Sequence, residues 1–265
     1  MSQETHIGQV LVESNVQRKL QFLEGHLHAL LRGATGEVPV EPGRDVQIVH
    51  PRGMPPKIGV SSREGQARLI HDLASIELQA MELGVRTLIE FPDAPRAFRD
   101  ELAQVTLEEG THLGLCVRAL EDLGFPWGSF PAHNGLWFCV SPEDSLLDRI
   151  VIVHRFLEGS GLDASAKILR RLEGVGARVA VPAVERIGRD EVGHVQFGSR
   201  WFHKLVEGDA GEDFRERLTR LFDRIPRRLE PINAEIRREA GFTDAEVAVL
   251  RDLRERQLNE PCARL

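Results

Sequence analysis

The chain contains no tyrosine. A mechanism that needs a tyrosyl radical or a tyrosine general acid is thereby excluded. Cysteine is nearly as scarce: Cys116, Cys139 and Cys262 are too few and too scattered for a disulfide framework or a Cys-x-x-Cys zinc site. No apolar run approaches the ~20 residues needed to span a bilayer, and Met1 to Gln9 is polar, without the apolar core of a signal peptide. A reduced, cytoplasmic setting without membrane association is the expectation. Lysine is also short, 4 against 30 arginines, which coding bias explains as well as a binding surface would. A net charge of −7 argues mildly against a nucleic-acid partner.

What is present is an ordinary globular composition, 42% hydrophobic and 28% charged, in 265 residues, enough for one large domain or two small ones. The pattern is helical. A first helix is expected from about Gly8 to Leu31, followed by an irregular Pro/Gly-rich segment, Arg32 to Val60, in which Val46 to Val49 could pair as a hairpin. Four long helices follow. The first opens at a Ser61-Ser62 cap with Glu64 placed as in a capping box, and Phe91-Pro-Asp-Ala-Pro95 ends it. The second spans about Arg96 to Asp122. A linker, Gly124 to Ser141, leads to a third helix from Pro142 to about Glu173. Gly174-Val-Gly176 separates it from a fourth that ends near Glu207. Two further helices are read at Phe214 to Arg238, kinked by Pro226 and Pro231, and at Asp244 to Leu258. The expected domains are an N-terminal extension over 1–60, a bundle over 61–207, and a C-terminal helical extension over 208–265 packed on the bundle.

Two Glu-x-x-His motifs occur, Glu109-Gly-Thr-His112 and Glu191-Val-Gly-His194. With 27 Glu and 10 His in the chain, about one such pair arises by chance, so the motif alone decides little. Helical phase decides more. At about 100° per residue, Glu109 shares a face with Leu102, Val105, Leu113, Cys116 and Leu120, while Asp100, Arg118 and Asp122 lie opposite. Glu191 shares one with Val184, Ile187, Val195, Gly198 and Phe202, opposite Arg186, Arg189, Arg200 and Lys204. Glu77 falls in the stripe of Ile70, Leu73, Met81, Gly84 and Leu88, with Arg68, Asp72, Glu82 and Arg86 turned away. Glu158 falls in the stripe of Leu147, Val151, Leu162, Ser165 and Leu169. A buried carboxylate must be paired or bound to metal. The alternative, a bundle with buried Glu–Arg pairs, is disfavoured because the four stripes nearly lack Arg and Lys; only Arg155 lies near Glu158.

Spacing adds a topology. Glu77 to Glu109 has its midpoint at Asp93, inside the Pro-Asp-Ala-Pro turn, and Glu158 to Glu191 has its midpoint at Gly174-Val175. Two antiparallel hairpins folded there would each bring a pair of Glu to one height. A linker of 18 residues can reach ~59 Å, so a long crossover is feasible. The expected fold is all-α, a ferritin-like four-helix bundle with helical extensions at both ends. One Glu from each of two helices and Glu-x-x-His from the other two is the ligand pattern of a dinuclear iron or manganese site.

The runs His71-Asp-Leu-Ala-Ser-Ile-Glu77, Glu108-Glu-Gly-Thr-His112, Glu158-Gly-Ser-Gly-Leu-Asp163 and Asp190-Glu-Val-Gly-His194 resemble the ferritin-like superfamily over roughly 61–207. More closely, they are similar to a bacterial family catalogued as domain of unknown function 455. In architecture and ligand pattern they are distantly similar to the di-iron tRNA hydroxylase. The resemblance implies the fold and six ligands, Glu77, Glu109, His112, Glu158, Glu191 and His194, but no particular reaction. Departures prune the options. The rubredoxin-like Cys-x-x-Cys of rubrerythrins is absent, there is no Tyr for a ribonucleotide-reductase radical, and Gly161 and Leu162 stand where many multicomponent monooxygenases place a Thr.

Of the remaining candidates, His154 lies one turn before Glu158 and is read as an outer hydrogen-bond partner, an extra ligand or a satisfied core histidine. His71, His133 and His203 are read as surface or loop residues. Gly159 and Gly161 stand inside a helix, where they could permit a bulge or an oxygen channel. Cys116 is read as a buried structural thiol. Arg217, Arg220, Arg224, Arg227 and Arg228 form a stripe that could meet phosphate or RNA, but is more simply a solvated face neutralised by Glu216, Asp223 and Glu230. The expected activity is an oxidoreductase or hydroxylase with two Fe ions (or Mn, or a mixed pair) that uses oxygen or peroxide on a substrate the residues do not identify. An electron-donor protein and a homodimer are compatible with it. The alternatives are an iron-handling ferroxidase or peroxide scavenger, and a non-catalytic metal-stabilised interaction module.

Overall fold

The computed structural model describes residues 9–227 and 230–259. The protein is all-α: among the described residues there is no strand, only an isolated parallel bridge between Ile48 and Ala132. The chain divides into two compact units, Met1–Trp137 with Val175–Ala183, and Phe138–Gly174 with Val184–Leu265.

The first unit is built on the hairpin of α3 (Arg63–Glu90) and α4 (Arg96–Asp122). Ser62 caps α3 by accepting the Gly65 N–H at 3.0 Å, which satisfies one of the donors a helix start leaves orphaned. The two helices approach closely at Gly84, where any side chain would overlap Thr106. Before the hairpin lie α1 (Gln9–Val12) and α2 (Val16–Leu31), which replace the single helix expected from Gly8; Gly8 itself lies outside the described residues. The break falls where Asn15 leaves the helical region to cap α2, accepting the Arg18 N–H. Residues 46–49 form no hairpin of their own. They pair with the later linker through Val49 N–H to Ala132 C=O and Ala132 N–H to Gln47 C=O, each 2.9 Å.

Charged residues expected on the outer side of α3 are buried. Glu82 accepts from Lys19 Nζ at 2.6 Å and from both terminal nitrogens of Arg44 at 2.6 Å. Arg68 and Arg86 are likewise buried, each paired one turn on, with Asp72 and Glu90. Periodicity marks the face toward α4, but chain from before the hairpin (Lys19, Arg44) and after it (Phe130, Trp137) covers the other face, and one helix's pattern carries no sign of that.

The second unit contains the other long helical stretch. Its helix starts at Leu146, not Pro142, because Ser145 and Asp148 form a reciprocal capping box. α5 (Leu146–Ile150) passes into a π-helical run, Val151–Glu158, and then α6 (Gly159–Gly174). Ile150 to Phe156 are buried without interruption. The stripe counted at 100° per residue therefore fails here, since winding by i+5 instead of i+4 shifts the phase. α7 (Ala180–Leu205) follows, with its residues from Val184 onward in this unit. It lies antiparallel to the preceding stretch: a Cβ on Gly188 would sit 3.5 Å from Ser165, and one on Gly198 2.5 Å from the Cβ of His154.

α8 (Ala210–Arg220), α9 (Ala234–Glu239) and α10 (Asp244–Asn259) complete the unit. In place of the one kinked helix that the sequence predicts from Phe214 to Arg238, α8 ends well before Pro226 and α9 begins after Pro231. The arginine stripe is a solvated face only in part: Arg220 and Arg227 are exposed, but the neutralising partners come from the start of the third long helix and not from Glu216, Asp223 and Glu230. Arg217 and Arg220 both bond Asp148, and Arg224 bonds both oxygens of Asp144 and the Cys139 carbonyl. Burial alone would raise the Asp148 pKa, but hydrogen bonds from Arg220, Ser145 and Arg217 outweigh it and hold the group at about 2. Arg228, Leu229 and Cys262 lie outside the described residues. No helix among the described residues is long and apolar enough to cross a membrane.

Candidate metal centre

In the first unit, α3 carries Glu77 and α4 carries Glu109 and His112, all buried. His112 Nδ1 stands 3.4 Å from Glu77 Oε2 and 3.6 Å from Glu109 Oε2. The Asp93-centred hairpin thus puts these residues at one height. Burial opposes charge on His112, but the carboxylates of Glu109 and Glu77 outweigh it and raise the imidazole to about 11. Such a cluster of acid and base, without bulk water, suits a bound cation. Gly110, next to Glu109, leaves room for Leu23 of α2, whose Cδ2 would lie 2.6 Å from an added Cβ. Cys116 is a fully buried thiol. Burial, and secondarily the Glu77 charge, push its pKa well up, so it is protonated and inert.

In the second unit, α7 carries Glu191 and His194, with Glu191 Oε1 3.6 Å from His194 Nδ1. Glu158 ends the π-helical run, and His154 lies one turn before it at 2.8 Å, Nδ1 to Glu158 Oε1. All four are buried. The ring of His154 meets Phe197 edge-on at 5.0 Å, and Gly198 gives its backbone space. Glu158 Oε2 and His154 Nε2 have no hydrogen-bond partner among the described residues. Two orphaned buried lone-pair atoms on adjacent side chains are what a ligand position needs, and cost stability otherwise.

Arg155, the only cation read beside Glu158, is not its partner. Its guanidinium bonds Glu246 at 2.8 Å and lies over Phe202, Phe214 and Phe242 at 4.5, 4.4 and 4.2 Å. The Glu–Arg alternative is therefore realised, but with a carboxylate outside the candidate set. His71, expected at the surface, is buried: it stacks on Trp127 at 4.6 Å, and its Nε2 accepts the Gly128 N–H. Burial, then the neighbouring Arg68 charge, lower its pKa to about 4. His133 is a half-buried loop residue, and His203 bonds Glu246. Gly161 is in open space, whereas Gly159 faces Arg237. The roles of Arg237, Asp163 and Glu246 were not legible in the sequence; Gly159 was the one local signal.

Glu109 and His112 in the first unit, and Glu191 and His194 in the second, are buried and can each offer one ligand atom to a metal ion. Fold and side chains thus define an all-α protein with a possible carboxylate–histidine metal site. The family model described as "Protein of unknown function (DUF455)" matches residues 9–248, and the chain belongs to that family. A relative from Haemophilus influenzae (strain ATCC 51907 / DSM 11121 / KW20 / Rd), described as "Uncharacterized protein", is 33% identical over 211 residues, covering 76% of this chain and 72% of its own. No solved structure matches.

Proposed function

We propose that the protein is a dinuclear metal carboxylate oxidoreductase of ferritin-like type, loaded with iron and using oxygen or peroxide. Glu77 and Glu158 are the single carboxylates, and Glu109/His112 and Glu191/His194 the two Glu-x-x-His pairs. The observation that carries this reading is the repetition: each antiparallel hairpin buries one lone Glu and one Glu-x-x-His pair. Two iron ions would supply a redox couple for activating oxygen or peroxide, and two manganese ions are the chemical alternative.

The protein's own part follows from its side chains. Four carboxylates neutralise two divalent cations, and only two imidazoles accompany them, which leaves coordination positions open. His154 engages one oxygen of Glu158 and so orients the other. Glu77, Glu109, Glu158 and Glu191 are themselves buried, as are Ile70 and Met81 on the stripe of Glu77, Leu113 on that of Glu109 and Val195 on that of Glu191, which limits bulk water at the carboxylates. With no Tyr in the chain, oxidising equivalents stay close to the metals or pass to a substrate bound beside them.

The test is metal content by elemental analysis of protein from its native host, then oxygen consumption on adding ferrous iron, for wild type and for Glu109→Ala and His112→Ala. Two ions per chain in the wild type, with both metal and oxygen uptake lost in the variants, is the expected result. Unchanged metal in both variants overturns the ligand assignment. Metal without oxygen or peroxide consumption overturns the enzyme reading in favour of a structural ion.

A further inference from the structure

Glu158 ends an eight-residue π-helical run, and Gly159 restarts the α-helix. Winding by i+5 is rare and locates at functional sites. Where the two windings join, the carbonyl ladder changes step, and side chains serve the carbonyls there. The Arg155 carbonyl accepts from Arg237 Nη1 at 2.8 Å, and the Phe156 carbonyl accepts from Ser160 Oγ at 2.5 Å.

Arg237 reaches this point from α9 and is itself fixed. It is 1% exposed, its Nη2 and Nε bond the two oxygens of Asp163 at 2.6 and 3.2 Å, and its guanidinium lies 5.0 Å over Phe242. Asp163 also accepts the backbone N–H of Asn233, the cap of α9, at 2.9 Å. Gly159 completes the fit: a Cβ there would overlap the Arg237 guanidinium. A glycine inside a helix is unfavourable relative to Ala, and here the close approach of Arg237 is its cause.

We propose that Arg237 is a positioning residue for the His154–Glu158 pair. Its Nη1 pins the carbonyl between them in sequence, so the run cannot rewind to α-helical register. A slip of one residue would swing the Glu158 carboxylate by about 100°, away from its place as a ligand. Arg237 touches no reacting atom; Asp163 aims it and Gly159 admits it. The proposal rests on Glu158 being a metal ligand, as read above.

Hydrogen exchange of the metal-free protein and anaerobic ferrous-ion titration test it together. In Arg237→Gln, amides of residues 151–158 exchange about tenfold faster, the loss of one charge-assisted hydrogen bond, while those of α3 and α4 keep the wild-type rate. Arg237→Lys, which can still donate to one acceptor, recovers part of the protection. Gly159→Ala reproduces Arg237→Gln, and the double variant is no worse than either, since both remove one contact. The weaker ferrous-binding step loses about tenfold in affinity. Unchanged exchange over 151–158, an increase spread evenly over the unit, additive variants, or loosened amides with wild-type ferrous binding would each overturn the assignment. Should the wild type bind no ferrous ion at all, the metal reading fails, and exchange with non-additivity still decides whether Arg237 holds the run.

Discussion

Arg155 and Glu246 meet at 2.8 Å with both side chains fully buried, 91 residues apart in the chain. Arg155 Nε and Nη2 find no hydrogen-bond acceptor among the described residues; the faces of Phe202, Phe214 and Phe242 take that place. Removing one partner of such a pair strands the other charge. Glu246→Gln is expected to cost about 3–5 kcal/mol in urea denaturation, and the double variant Arg155→Met/Glu246→Gln to recover part of it. A loss under about 1 kcal/mol in the single variant would show that the pair contributes no more than a surface bridge.

The same pair predicts an acid limb. Burial alone would raise the Glu246 pKa, but hydrogen bonds from His203 and Arg155 outweigh it and depress the carboxyl from 4.5 to about 2. A depressed acid stabilises the fold above its unfolded pKa, and that contribution fades as pH falls through the folded value. Wild type and Glu246→Gln are thus expected to differ most above pH 4.5 and to converge as pH nears 2. A gap that stays constant from pH 7 to pH 2 in denaturant titrations is the contrary result. Asp148, held at about 2, moves the wild type in the same direction and is unaffected by the substitution.

How much of this was legible in the sequence depends on where each constraint lies. The hairpin of α3 and α4 is legible because the cap at Ser61-Ser62 and the Pro-Asp-Ala-Pro turn are local signals and Glu109 sits in an ordinary helical stripe; the expected capping box with Glu64 does not form, since Ser62 is the cap and Gly65 the residue that answers it. α7 was legible for the same reason: Arg186, Arg189, Arg200 and Lys204 are exposed while Glu191 and His194 are buried. The third long helix departs from its sequence pattern where a π-helical run breaks the 100° count. Its cause, Arg237, lies 82 residues from the carbonyl it serves. The burial of Glu82 and His71 is not legible, because Lys19, Arg44 and the Trp127 loop, all remote in sequence, cover them.

Glu82 is the anchor of the N-terminal extension, holding Lys19 of α2 and Arg44 of the irregular segment at 2.6 Å each. Replacing it with Gln leaves two cations without a counter-charge against α3. The expected outcome is a loss of about 3–5 kcal/mol, with limited proteolysis cutting residues 32–60 faster than in the wild type. Unaltered cleavage there would mean that other contacts, such as Trp137 Nε1 to the Val40 carbonyl at 3.0 Å, suffice to hold the segment.

Ligand binding to the folded state alone must raise its stability. At a free ferrous-ion concentration of 100 times Kd, the gain is about 2.7 kcal/mol. Anaerobic thermal melts should show that gain in the wild type and its loss in His112→Ala and in His194→Ala. If both variants still respond fully to the metal, the ions bind elsewhere.

Two glycines of α7 should respond oppositely to the same substitution. Gly198 faces His154: an added Cβ would stand 2.5 Å from the His154 Cβ and 3.4 Å from its carbonyl carbon. Neither atom is the flexible tip of a side chain, so α7 and the π-helical run would have to separate. Gly198→Ala is therefore expected to cost about 1–3 kcal/mol through overpacking, and to lengthen the 2.8 Å contact of His154 with Glu158. Gly193, on the same helix, is exposed with nothing within 4 Å of an added Cβ. There Ala relieves only the conformational cost of glycine, so Gly193→Ala should stabilise by about 0.5–1 kcal/mol. Denaturant midpoints of the two variants read both signs; a neutral Gly198→Ala would show that α7 and the π-helical run are not packed as closely as Gly198 and His154 require.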